Sequence, residues 1–367
     1  MRILMVSKAC LVGAYQRKLE EIARDDQIDL TVIVPPSWDD AAAPLQLERS
    51  HTAGYKLLVD PIRFNGNYHF YYYPRLKQRL AQLRPDVVHI DEEPYNLATW
   101  LAMRQAKASG AKTLFFTWQN LNRSYPFPFN RMEQQVLNGV DYALMGNQEA
   151  VQVWQAKGYR GPYRVIPQFG VDPALYQPPP RRDSGRVFTI GSANRRLVPE
   201  KGLDLLLQAA ARLPGTWQLH IAGEGPCRAS LEQLAQTLAI RERVFFDGAI
   251  PSTQMPAYLQ QMDVLALPSR TRPNWKEQFG RVLIEAMACG TAVIGSNSGE
   301  IPHVIGDAGL IFPEDDVDAL HQHLLTLMQS ETERWRLGQQ GRQRVLAHYT
   351  QVQVAAQTAA VYREILS

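Results

Sequence analysis

Short apolar segments of three to five residues alternate along this chain with longer segments that have helical amphipathic spacing. Ten of the apolar segments predict strands: Ile3–Val6, Leu30–Val34, Val87–Ile90, Thr113–Phe116, Tyr142–Met145, Val187–Ile190, Leu219–Ala222, Val244–Phe246, Val264–Leu267 and Ala292–Ile294. Because these segments are continuously apolar, they are typical of parallel strands that crossover helices bury on both faces. The pattern therefore predicts an α/β fold with a doubly wound sheet in each half of the chain.

The length of 367 residues favours two domains, each large enough for its own core. Three consecutive prolines, Pro178 to Pro180, lie in a polar stretch that excludes both a helix and a core, so residues 177–185 are predicted to be a linker. Residues 1–176 then form an N-terminal domain and 186–345 a C-terminal domain. Residues 346–367 are predicted to be a final helix, and the pattern leaves open whether it crosses back to the N-terminal domain.

Composition and charge narrow the functional classes. The formal net charge is only +3, from 39 Lys+Arg against 36 Asp+Glu, which is too weak for a general nucleic-acid binder. Cys10, Cys227 and Cys289 have neither metal-ligand nor disulfide spacing, which favours a reducing compartment. The first apolar run is broken at Ser7 and Lys8, too early for a signal peptide, and no apolar stretch is long enough to cross a bilayer. We expect a cytoplasmic protein, with peripheral attachment to the inner face of a membrane left open.

The segment from Glu277 to Gly290 is the most informative one. Its apolar positions have helical spacing, so a short helix should begin near Gly280 and end at Gly290. The backbone N–H groups of Phe279 and Gly280 would form an anion site at the start of this helix. Glu277 and Glu285 would reach different parts of one extended ligand, and carboxylates accept well from paired hydroxyls. The alternative is that two surface glutamates flank an ordinary helix.

A basic loop follows the predicted strand Val187–Ile190. Arg196 and Lys201 lie five residues apart across a turn, at the carboxyl edge of the sheet where open α/β folds bind ligands. A guanidinium group and an ammonium group together suit a diphosphate. The alternatives are a solvated basic loop and the assignment of the guanidinium role to Arg195.

Two aromatic tracts lie in the first half of the chain, at residues 67–74 and 118–129. The second follows a strand and begins with Trp118, Gln119 and Asn120, a combination of ring faces and amides that sugar recognition uses. For the tract 67–74 core packing is the favoured interpretation. Residues 75–84 carry four cations and no anion on an amphipathic helix, which either rests on anionic lipid or, as we favour, is an ordinary surface helix.

Several motifs resemble, in order and spacing, those of the donor domain of family-four glycosyltransferases. They are the Arg196–Gly202 loop, the turn at 223–226, the Glu277 and Glu285 pair, and the segments 299–302 and 309–312. The resemblance covers most of 186–345 and is thinner over 1–172. It implies the GT-B fold, in which two Rossmann-like doubly wound domains face each other across a cleft, and a retaining transfer of a sugar from a nucleotide diphosphate.

The resemblance implies a role for each matched residue. Glu277 would bind hydroxyls of the donor sugar and Glu285 the ribose hydroxyls of the nucleotide. Arg196 and Lys201 would neutralise the diphosphate. The amides of Phe279 and Gly280 would assist, and Gly13 in the first loop of the N-terminal domain would approach the phosphate and the acceptor. The family requires no divalent metal and no cofactor besides the nucleotide-sugar substrate.

This chain departs from the family pattern at four places. Its first loop offers only Gly13 where a glycine pair is usual, and Asp91 replaces a frequent histidine. Glu300 follows Gly299 where a second glycine is common, and His303 stands where a glutamate is frequent. These departures bear on the donor and the acceptor more than on the reaction.

The acidic segment Asp91 to Glu93 has two interpretations. Asp91 or Glu93 could line the cleft, with Asp91 acting on the acceptor hydroxyl or on positive charge at the anomeric carbon and Glu93 touching the acceptor. The segment could equally be a solvated loop with one carboxylate capping a helix. With Trp118, Gln119 and Asn120, Glu93 completes the predicted acceptor contacts.

We therefore expect a metal-independent retaining glycosyltransferase. Its acceptor would be a glycan, a glycolipid or a small molecule, and it would need no nucleic acid. A front-face displacement, in which the departing phosphate accepts the proton of the acceptor, is favoured over a covalent route. The alternatives are a non-hydrolysing sugar-nucleotide epimerase of the same fold and a non-catalytic binder of sugar nucleotides or glycans.

Overall fold

The computed structural model describes residues 1–39, 44–179 and 185–367. These residues form two compact units, the first made of 1–170 together with 351–367 and the second of 171–350. Each unit contains a parallel β-sheet flanked by helices, as the alternation of segments predicts.

The first unit contains a seven-stranded sheet and a short hairpin. Its strands are β1 (Arg2–Val6), β2 (Asp29–Val34), β3 (Ser37–Trp38), β4 (Leu45–Gln46), β5 (Lys56–Val59), β6 (Val87–Ile90), β7 (Lys112–Thr117), β8 (Tyr142–Met145) and β9 (Tyr163–Val165). The helices between them are α1 (Arg17–Ala23), α2 (Leu76–Leu83), α3 (Leu97–Ala108), α4 (Phe129–Gly139) and α5 (Gln148–Ala156). The sheet has the order β5-β2-β1-β6-β7-β8-β9, and every pairing in it is parallel.

Both faces of this sheet are buried, which explains why its strands are continuously apolar. Along β1, Leu4 and Val6 belong to one hydrophobic cluster, whereas Ile3 and Met5 belong to the cluster on the opposite face. Successive side chains of a strand point to opposite faces, so two clusters require apolar residues at every position.

The second unit contains a six-stranded parallel sheet with the order β12-β11-β10-β13-β14-β15. Its strands are β10 (Phe188–Arg196), β11 (Trp217–Glu224), β12 (Val244–Gly248), β13 (Val264–Leu267), β14 (Ala292–Ser296) and β15 (Leu310–Phe312). Its helices are α6 (Leu203–Ala210), α7 (Arg228–Thr237), α8 (Met255–Gln260), α9 (Arg281–Ala288), α10 (Ile301–Ile305), α11 (Val317–Gln329) and α12 (Glu331–His348).

The last helix, α13 (Gln351–Leu366), belongs to the first unit. It packs against α1, and the hydroxyl of Tyr362 lies 2.8 Å from Nδ1 of His89 on β6. Burial lowers the pKa of His89 to about 3, so this imidazole is neutral at physiological pH. The helix therefore closes one face of the first sheet.

The final helix begins later than the predicted start at residue 346. The chain instead ends α12 at His348 and begins α13 at Gln351. The break has a local cause, because the carbonyl of Tyr349 accepts from the N–H of Val171 at 2.9 Å and Thr350 forms a parallel bridge with the same residue. The chain enters the second unit at Val171 and leaves it at Thr350, and these two residues lie next to each other.

All ten predicted strand segments are confirmed as strands, and the sequence missed β5, β9 and β15, which lie at the edges of the sheets, as well as the short hairpin of β3 and β4. Edge strands are only partly buried, so their apolar pattern is weak. The predicted linker 177–185 falls within the span of the second unit, and its residues 180–184 lie outside the described part of the chain. No helix among the described residues is long and apolar enough to span a bilayer.

Candidate functional site

The predicted basic loop and the predicted carboxylate segment follow two neighbouring strands of the second unit. Strands β10 and β13 pair in parallel, with Ile190 opposite Val264. Arg196 ends β10, and the segment that carries Glu277 follows β13. Because the carboxyl ends of parallel strands lie at one edge of a sheet, the topology brings the two motifs to the same edge.

Gly202 fixes the position of the lysine loop. It adopts a φ of +62°, and a Cβ at this position would lie 1.9 Å from the carbonyl oxygen of Pro268. The three residues before it form a 3₁₀ turn that ends at Lys201, and α6 begins directly after it. Only glycine permits both this backbone conformation and this approach, so Lys201 is held close to the end of β13.

Lys201 and Glu277 form an ion pair. The Nζ atom of Lys201 lies 2.7 Å from Oε2 of Glu277, and the same oxygen accepts from the hydroxyl of Ser269 at 2.9 Å. The side chains are 19% and 11% exposed, so the pair is largely desolvated yet still reaches solvent. Trp275 flanks the ammonium group, with its ring centre 4.9 Å from Nζ. The predicted convergence of these two residues is confirmed by these contacts.

The main chain at Glu277 is also fixed. Its carbonyl oxygen accepts from the N–H of Glu300 at 3.2 Å, and a Cβ at Gly299 would lie 2.0 Å from that oxygen. Gly299 has a φ of +54°. The segment 299–300 therefore buttresses the site carboxylate through the backbone, which gives Gly299 a structural reason to be glycine.

Helix α9 begins at Arg281, with Gly280 as its N-cap in the left-handed region at φ +77°. The prediction of a helix that starts near Gly280 and stops at Gly290 is confirmed. Phe279 is buried, with its ring 5.8 Å from that of Tyr349. The first turn of α9 therefore starts at the carboxyl edge of the sheet, where its amides suit an anion.

Glu285 is held apart from Glu277 by its own partners. Its Oε1 accepts from Nε of Arg281 at 2.7 Å, one helical turn earlier. Burial and the nearby charge of Glu285 raise the pKa of Tyr176. Glu277 and Glu285 thus have different partners, as expected if each binds a different part of a ligand.

Arg196 is exposed at the end of β10, where it pairs in register with Glu224 of β11. The glycine turn after β11 packs tightly against this loop, since a Cβ at Gly223 would lie 2.2 Å from the carbonyl oxygen of Asn194. Arg196 ends β10 and Lys201 follows this strand. The predicted role of both residues in binding a diphosphate rests on their placement at the same edge of the sheet. Arg195 is exposed at the same edge.

The acidic segment of the first unit follows β6 and is held by hydrogen bonds. Asp91 is 2% exposed and accepts from the hydroxyl of Ser7 at 2.6 Å and from the amide of Gln168 at 3.0 Å. Both of its oxygens are therefore engaged inside the unit, so the predicted catalytic role of Asp91 has no support from this geometry. The solvated-loop interpretation does not apply to Asp91 either.

Glu93 lies two residues further along this segment. It accepts from the hydroxyl of Thr117 at 2.6 Å and from the backbone N–H of Trp118 at 2.8 Å. Burial raises the pKa of Glu93 to about 7, even though both hydrogen bonds lower it. Burial also raises the pKa of its neighbour Glu92. The end of β6 therefore carries a carboxyl that titrates near neutral pH.

The predicted acceptor residues after β7 lie in a hydrogen-bonded loop. Trp118 donates from Nε1 to Gln168 at 2.9 Å, and Gln119 accepts from the hydroxyl of Tyr125 at 3.0 Å. The side-chain amide of Asn120 donates to Glu149 at 3.1 Å. Gln119 and Asn120 are buried, so Trp118 is the member of the trio that keeps partial exposure.

Gly13 lies in a 3₁₀ turn after β1, and its N–H donates to the Glu48 carboxylate at 2.6 Å. A Cβ there would lie 2.2 Å from Oγ of Ser50. The amide that the resemblance places near a phosphate is therefore bound by a carboxylate within its own unit, which gives no support to that role.

Tyr71 and Tyr73 of the first aromatic tract are buried, as expected for core packing, whereas Tyr68 and Phe70 are exposed. The basic helix α2 buries Leu76 and Leu80 in the core of the first unit. Its apolar face is thus occupied, which supports the interpretation as an ordinary surface helix.

Sequence reasoning missed four residues that surround Lys201, Glu277 and Glu285: Ser269, Trp275, Tyr176 and Arg281. Ser269 could have been found, because it lies two residues after β13 at the ligand edge of the sheet. Tyr176 gives no such signal, since it is distant in sequence from the helix it contacts. Among the described residues, no group of three or more His, Cys, Asp or Glu side chains is placed to hold a metal ion.

Two family models match the chain. The model described as "Glycosyl transferases group 1" matches residues 189–344, and the one described as "Glycosyltransferase Family 4" matches residues 17–175. The two matches follow the division into units and together cover most of the chain.

Curated relatives match part of the chain. The MMP alpha-(1->4)-mannosyltransferase of Mycolicibacterium hassiacum is 34% identical over 209 residues, which is 55% of this chain and 48% of that protein. The GDP-mannose-dependent alpha-(1-6)-phosphatidylinositol monomannoside mannosyltransferase of Mycolicibacterium smegmatis is 36% identical over 166 residues, 41% of this chain and 43% of that protein. The matched region thus spans about half the length of these relatives.

Solved structures match over the whole length. Sucrose-phosphate synthase from Thermosynechococcus elongatus superposes with a TM-score of 0.75 at 21% identity and covers 100% of this chain and 99% of its own. The Anabaena protein HepE in complex with UDP superposes with a TM-score of 0.77 at 18% identity, covering 99% of this chain and 100% of its own. At such identities the likeness establishes the fold.

Proposed function

Because the chain belongs to the family-four glycosyltransferases with the GT-B fold, we propose that it transfers a sugar from a nucleotide diphosphate to an acceptor hydroxyl with retention of configuration. The observation that carries this proposal is the cluster of Lys201, Glu277 and Ser269 at the ends of β10 and β13. This cluster combines a cation for phosphate with a carboxylate for hydroxyls at the ligand edge of a parallel sheet.

The donor binds to the second unit. Glu277 accepts from hydroxyls of the sugar, and Glu285 accepts from the ribose. Lys201 and Arg196 neutralise the diphosphate, assisted by the amides of Phe279 and Gly280 at the start of α9. The different partners of the two carboxylates, Lys201 for one and Arg281 for the other, support this division of roles.

The reaction needs no nucleophile from the protein. The bond between the anomeric carbon and the phosphate oxygen breaks with both electrons going to the oxygen. The acceptor oxygen bonds to the same face of that carbon, and its proton passes to the departing phosphate. Lys201 and Arg196 stabilise the negative charge that develops on the leaving group, which is the task a divalent metal would otherwise perform.

GDP-mannose is the first donor to test. Two curated relatives, from Mycolicibacterium smegmatis and Corynebacterium glutamicum, are named as GDP-mannose-dependent mannosyltransferases. The acceptor is a glycan, a glycolipid or a small molecule, and it binds to the first unit. Glu93 and Trp118 lie at the ligand edge of its sheet and are proposed to contact the acceptor.

Contact with a membrane, if the acceptor is a lipid, is electrostatic and involves the exposed Arg75 at the N-cap of α2 and the exposed Lys77 within this helix. The helix buries Leu76 and Leu80 in the core of the first unit, so these side chains cannot insert into the membrane. Co-sedimentation with vesicles that contain anionic lipid, at low and at high salt, tests this contact. Binding that does not weaken with salt contradicts it.

The transfer itself is tested in two steps. Thermal shift with a panel of nucleotide sugars identifies the donor, and mass spectrometry of that donor with candidate acceptors identifies the product. We expect a new glycoside and release of the nucleotide diphosphate, unchanged by EDTA. An isomerised nucleotide sugar without any acceptor would instead indicate an epimerase, and binding without turnover would indicate a non-catalytic protein.

A further inference from the structure

Lys8 lies in an aromatic cage outside the donor cluster. Its Nζ atom is 4.3 Å from the ring centre of Trp38, 4.6 Å from that of Tyr68 and 5.4 Å from that of Tyr71. We name these four residues the Lys8 recess. Aromatic faces attract an ammonium group, and the three rings hold this one in place.

The recess lies at the carboxyl edge of the first sheet. Lys8 follows β1 and Glu92 follows β6, and these two strands pair in parallel. The backbone N–H of Lys8 donates to Oε1 of Glu92 at 2.8 Å, and burial together with the nearby charge of Glu92 raises the pKa of the Tyr71 hydroxyl. Open α/β sheets bind their ligands at this edge, so the recess is placed where a ligand is expected.

Two buried polar atoms at the recess have no hydrogen-bond partner in the described part of the chain. They are Nε1 of Trp38, a residue that is 1% exposed, and Oδ1 of Asn96, a residue that is 3% exposed. The side-chain nitrogen of Asn96 lies 3.5 Å from the Tyr71 hydroxyl, which places this amide beside the recess. Buried polar atoms are generally hydrogen-bonded, so a donor and an acceptor left open here indicate a polar ligand.

The charge of the recess favours an uncharged ligand. The ammonium group of Lys8 is offset by the nearby carboxyl of Glu92, which accepts from the backbone N–H of Lys8. An anionic ligand would be attracted by the ammonium group but repelled by this carboxylate. Hydroxyl groups can donate to one and accept from the other, while an apolar ring face packs on Tyr68, the exposed ring of the recess.

We infer that the Lys8 recess binds the acceptor as an uncharged, hydroxyl-rich ring, either a sugar or a cyclitol. Lys8 donates to a hydroxyl oxygen of this ring, and the indole N–H of Trp38 donates to another. This inference rests on the proposed transfer reaction, and it names the class of acceptor and the residues that select it.

The test follows Lys8 directly by NMR. The lysines of the full chain are reductively methylated with ¹³C-formaldehyde, which preserves their charge, and the resonance that disappears in Lys8→Arg is assigned to Lys8. Methyl α-D-mannopyranoside and myo-inositol are titrated as neutral probes, with D-glucuronate and myo-inositol 1-phosphate as their charged counterparts. We expect a saturable shift of the Lys8 resonance with at least one neutral probe and weaker binding of its charged counterpart. The absence of a saturable shift with both neutral probes overturns the inference, and tighter binding of the charged probes overturns the assigned class.

Two variants separate binding from packing. In Trp38→Phe the ring remains but the N–H is lost, so the neutral probe should bind about threefold to tenfold more weakly. Trp217→Phe is the matched control, because that indole is also buried but lies in the second unit, and it should leave probe affinity unchanged. In Lys8→Met the length is kept and the charge is lost, and the neutral probe should bind about tenfold more weakly. Unchanged probe affinity in both Lys8→Met and Trp38→Phe refutes the inference even if both variants are fully folded.

A donor measurement keeps the two proposals apart. Calorimetry with GDP-mannose should give the same affinity for the wild type, Lys8→Met and Trp38→Phe, because the donor cluster lies in the other unit. A wild-type protein that binds the neutral probe but no nucleotide sugar contradicts the proposed function. A wild type that binds and transfers from its donor while both recess variants keep full probe affinity contradicts only the recess.

Discussion

The two units place carboxylates at equivalent sheet edges but stabilise them differently. In the second unit Glu277 and Glu285 are each paired with a cation, Lys201 and Arg281. In the first unit Asp91 and Glu93 are held by hydroxyl, amide and backbone N–H donors. Burial without a cationic partner raises the pKa of Glu93 to about 7. Under the proposed function, the first arrangement suits the charged donor and the second suits hydroxyl groups of the acceptor.

The largest effect is expected from moving the lysine that defines the donor edge. Gly202→Ala places a methyl group against the Pro268 carbonyl at a positive φ, and we expect a loss of about 2–4 kcal/mol of unfolding free energy. Gly110→Ala is the matched control, because Gly110 has a φ of +83° and nothing within 4 Å of the place where the methyl group would lie. It should cost only about 1 kcal/mol. Thermal and urea unfolding of both variants measure the difference, and equal losses would show that the contact with Pro268 is unimportant.

Removal of the Lys201 ammonium group should weaken the binding of the donor without unfolding the second unit. Lys201→Met leaves Glu277 with Ser269 as its partner, and we expect the affinity for GDP-mannose to fall by about 2 kcal/mol, a loss typical of charge-assisted contacts. Isothermal calorimetry measures it. Lys112→Met, in the first unit, is the control and should change nothing, since that lysine is exposed. An unchanged affinity for GDP-mannose in Lys201→Met would contradict the proposed donor site in the second unit.

Single substitutions of Glu277 and Glu285 should have different effects on ligand affinity. Glu285→Gln is expected to weaken the binding of GDP and GDP-mannose alike by about 1 kcal/mol, because the proposed partner of Glu285 is the ribose. Glu277→Gln should weaken only GDP-mannose, since Lys201 keeps its charge for the phosphates. Calorimetric titration of each variant with both ligands gives four affinities. Equal losses for both ligands in Glu277→Gln would contradict the division of roles.

The remaining prediction concerns Glu93, at the proposed acceptor edge, and the dependence of stability on pH. The folded protein holds a proton on Glu93 up to about pH 7, whereas the unfolded chain releases it near the ordinary glutamate pKa of 4.5. The unfolded state therefore binds fewer protons in this window, and Glu93 makes folding less favourable as the pH rises through it, by about 1–3 kcal/mol in total. The melting temperature of Glu93→Gln relative to the wild type should thus increase between about pH 5 and about pH 8.

The same measurement can contradict this assignment. A protonated glutamate and a glutamine each offer one carbonyl acceptor and one donor group to Thr117 and Trp118, so the two proteins should be most alike in stability at low pH. A difference in melting temperature that stays constant with pH would show that Glu93 remains ionised throughout.

The sequence was a better guide to the second unit than to the first. Gly202, Gly280 and the spacing between Glu277 and Glu285 are local signals, because each reports a backbone constraint or a helical register within a few residues. The contacts of these residues with Ser269 and Trp275 follow from strand adjacency, which the alternation of segments predicts. The fold and the convergence of Lys201 with Glu277 were therefore within reach.

The first unit was harder to interpret because its polar contacts are long-range. Asp91 meets Ser7 and Gln168, which are distant along the chain, so no local pattern shows that both of its oxygens are occupied. The occupied amide of Gly13 has the same cause, since Glu48 comes from another loop. The aromatic tract around Tyr71 alternates between core and surface, which its composition conceals.

The return of α13 to the first unit has a consequence for synthesis on the ribosome. Val354, Ala355 and Tyr362 complete the cluster that contains Leu19 and Ile22, so a core begun by the earliest residues needs some of the latest. The second unit is a continuous stretch between these two parts of the first unit, so it can fold before the last helix of the first unit has been synthesised. Residues 171–350 are accordingly the stretch to express alone, whereas residues 1–170 would lack the helix that covers their sheet.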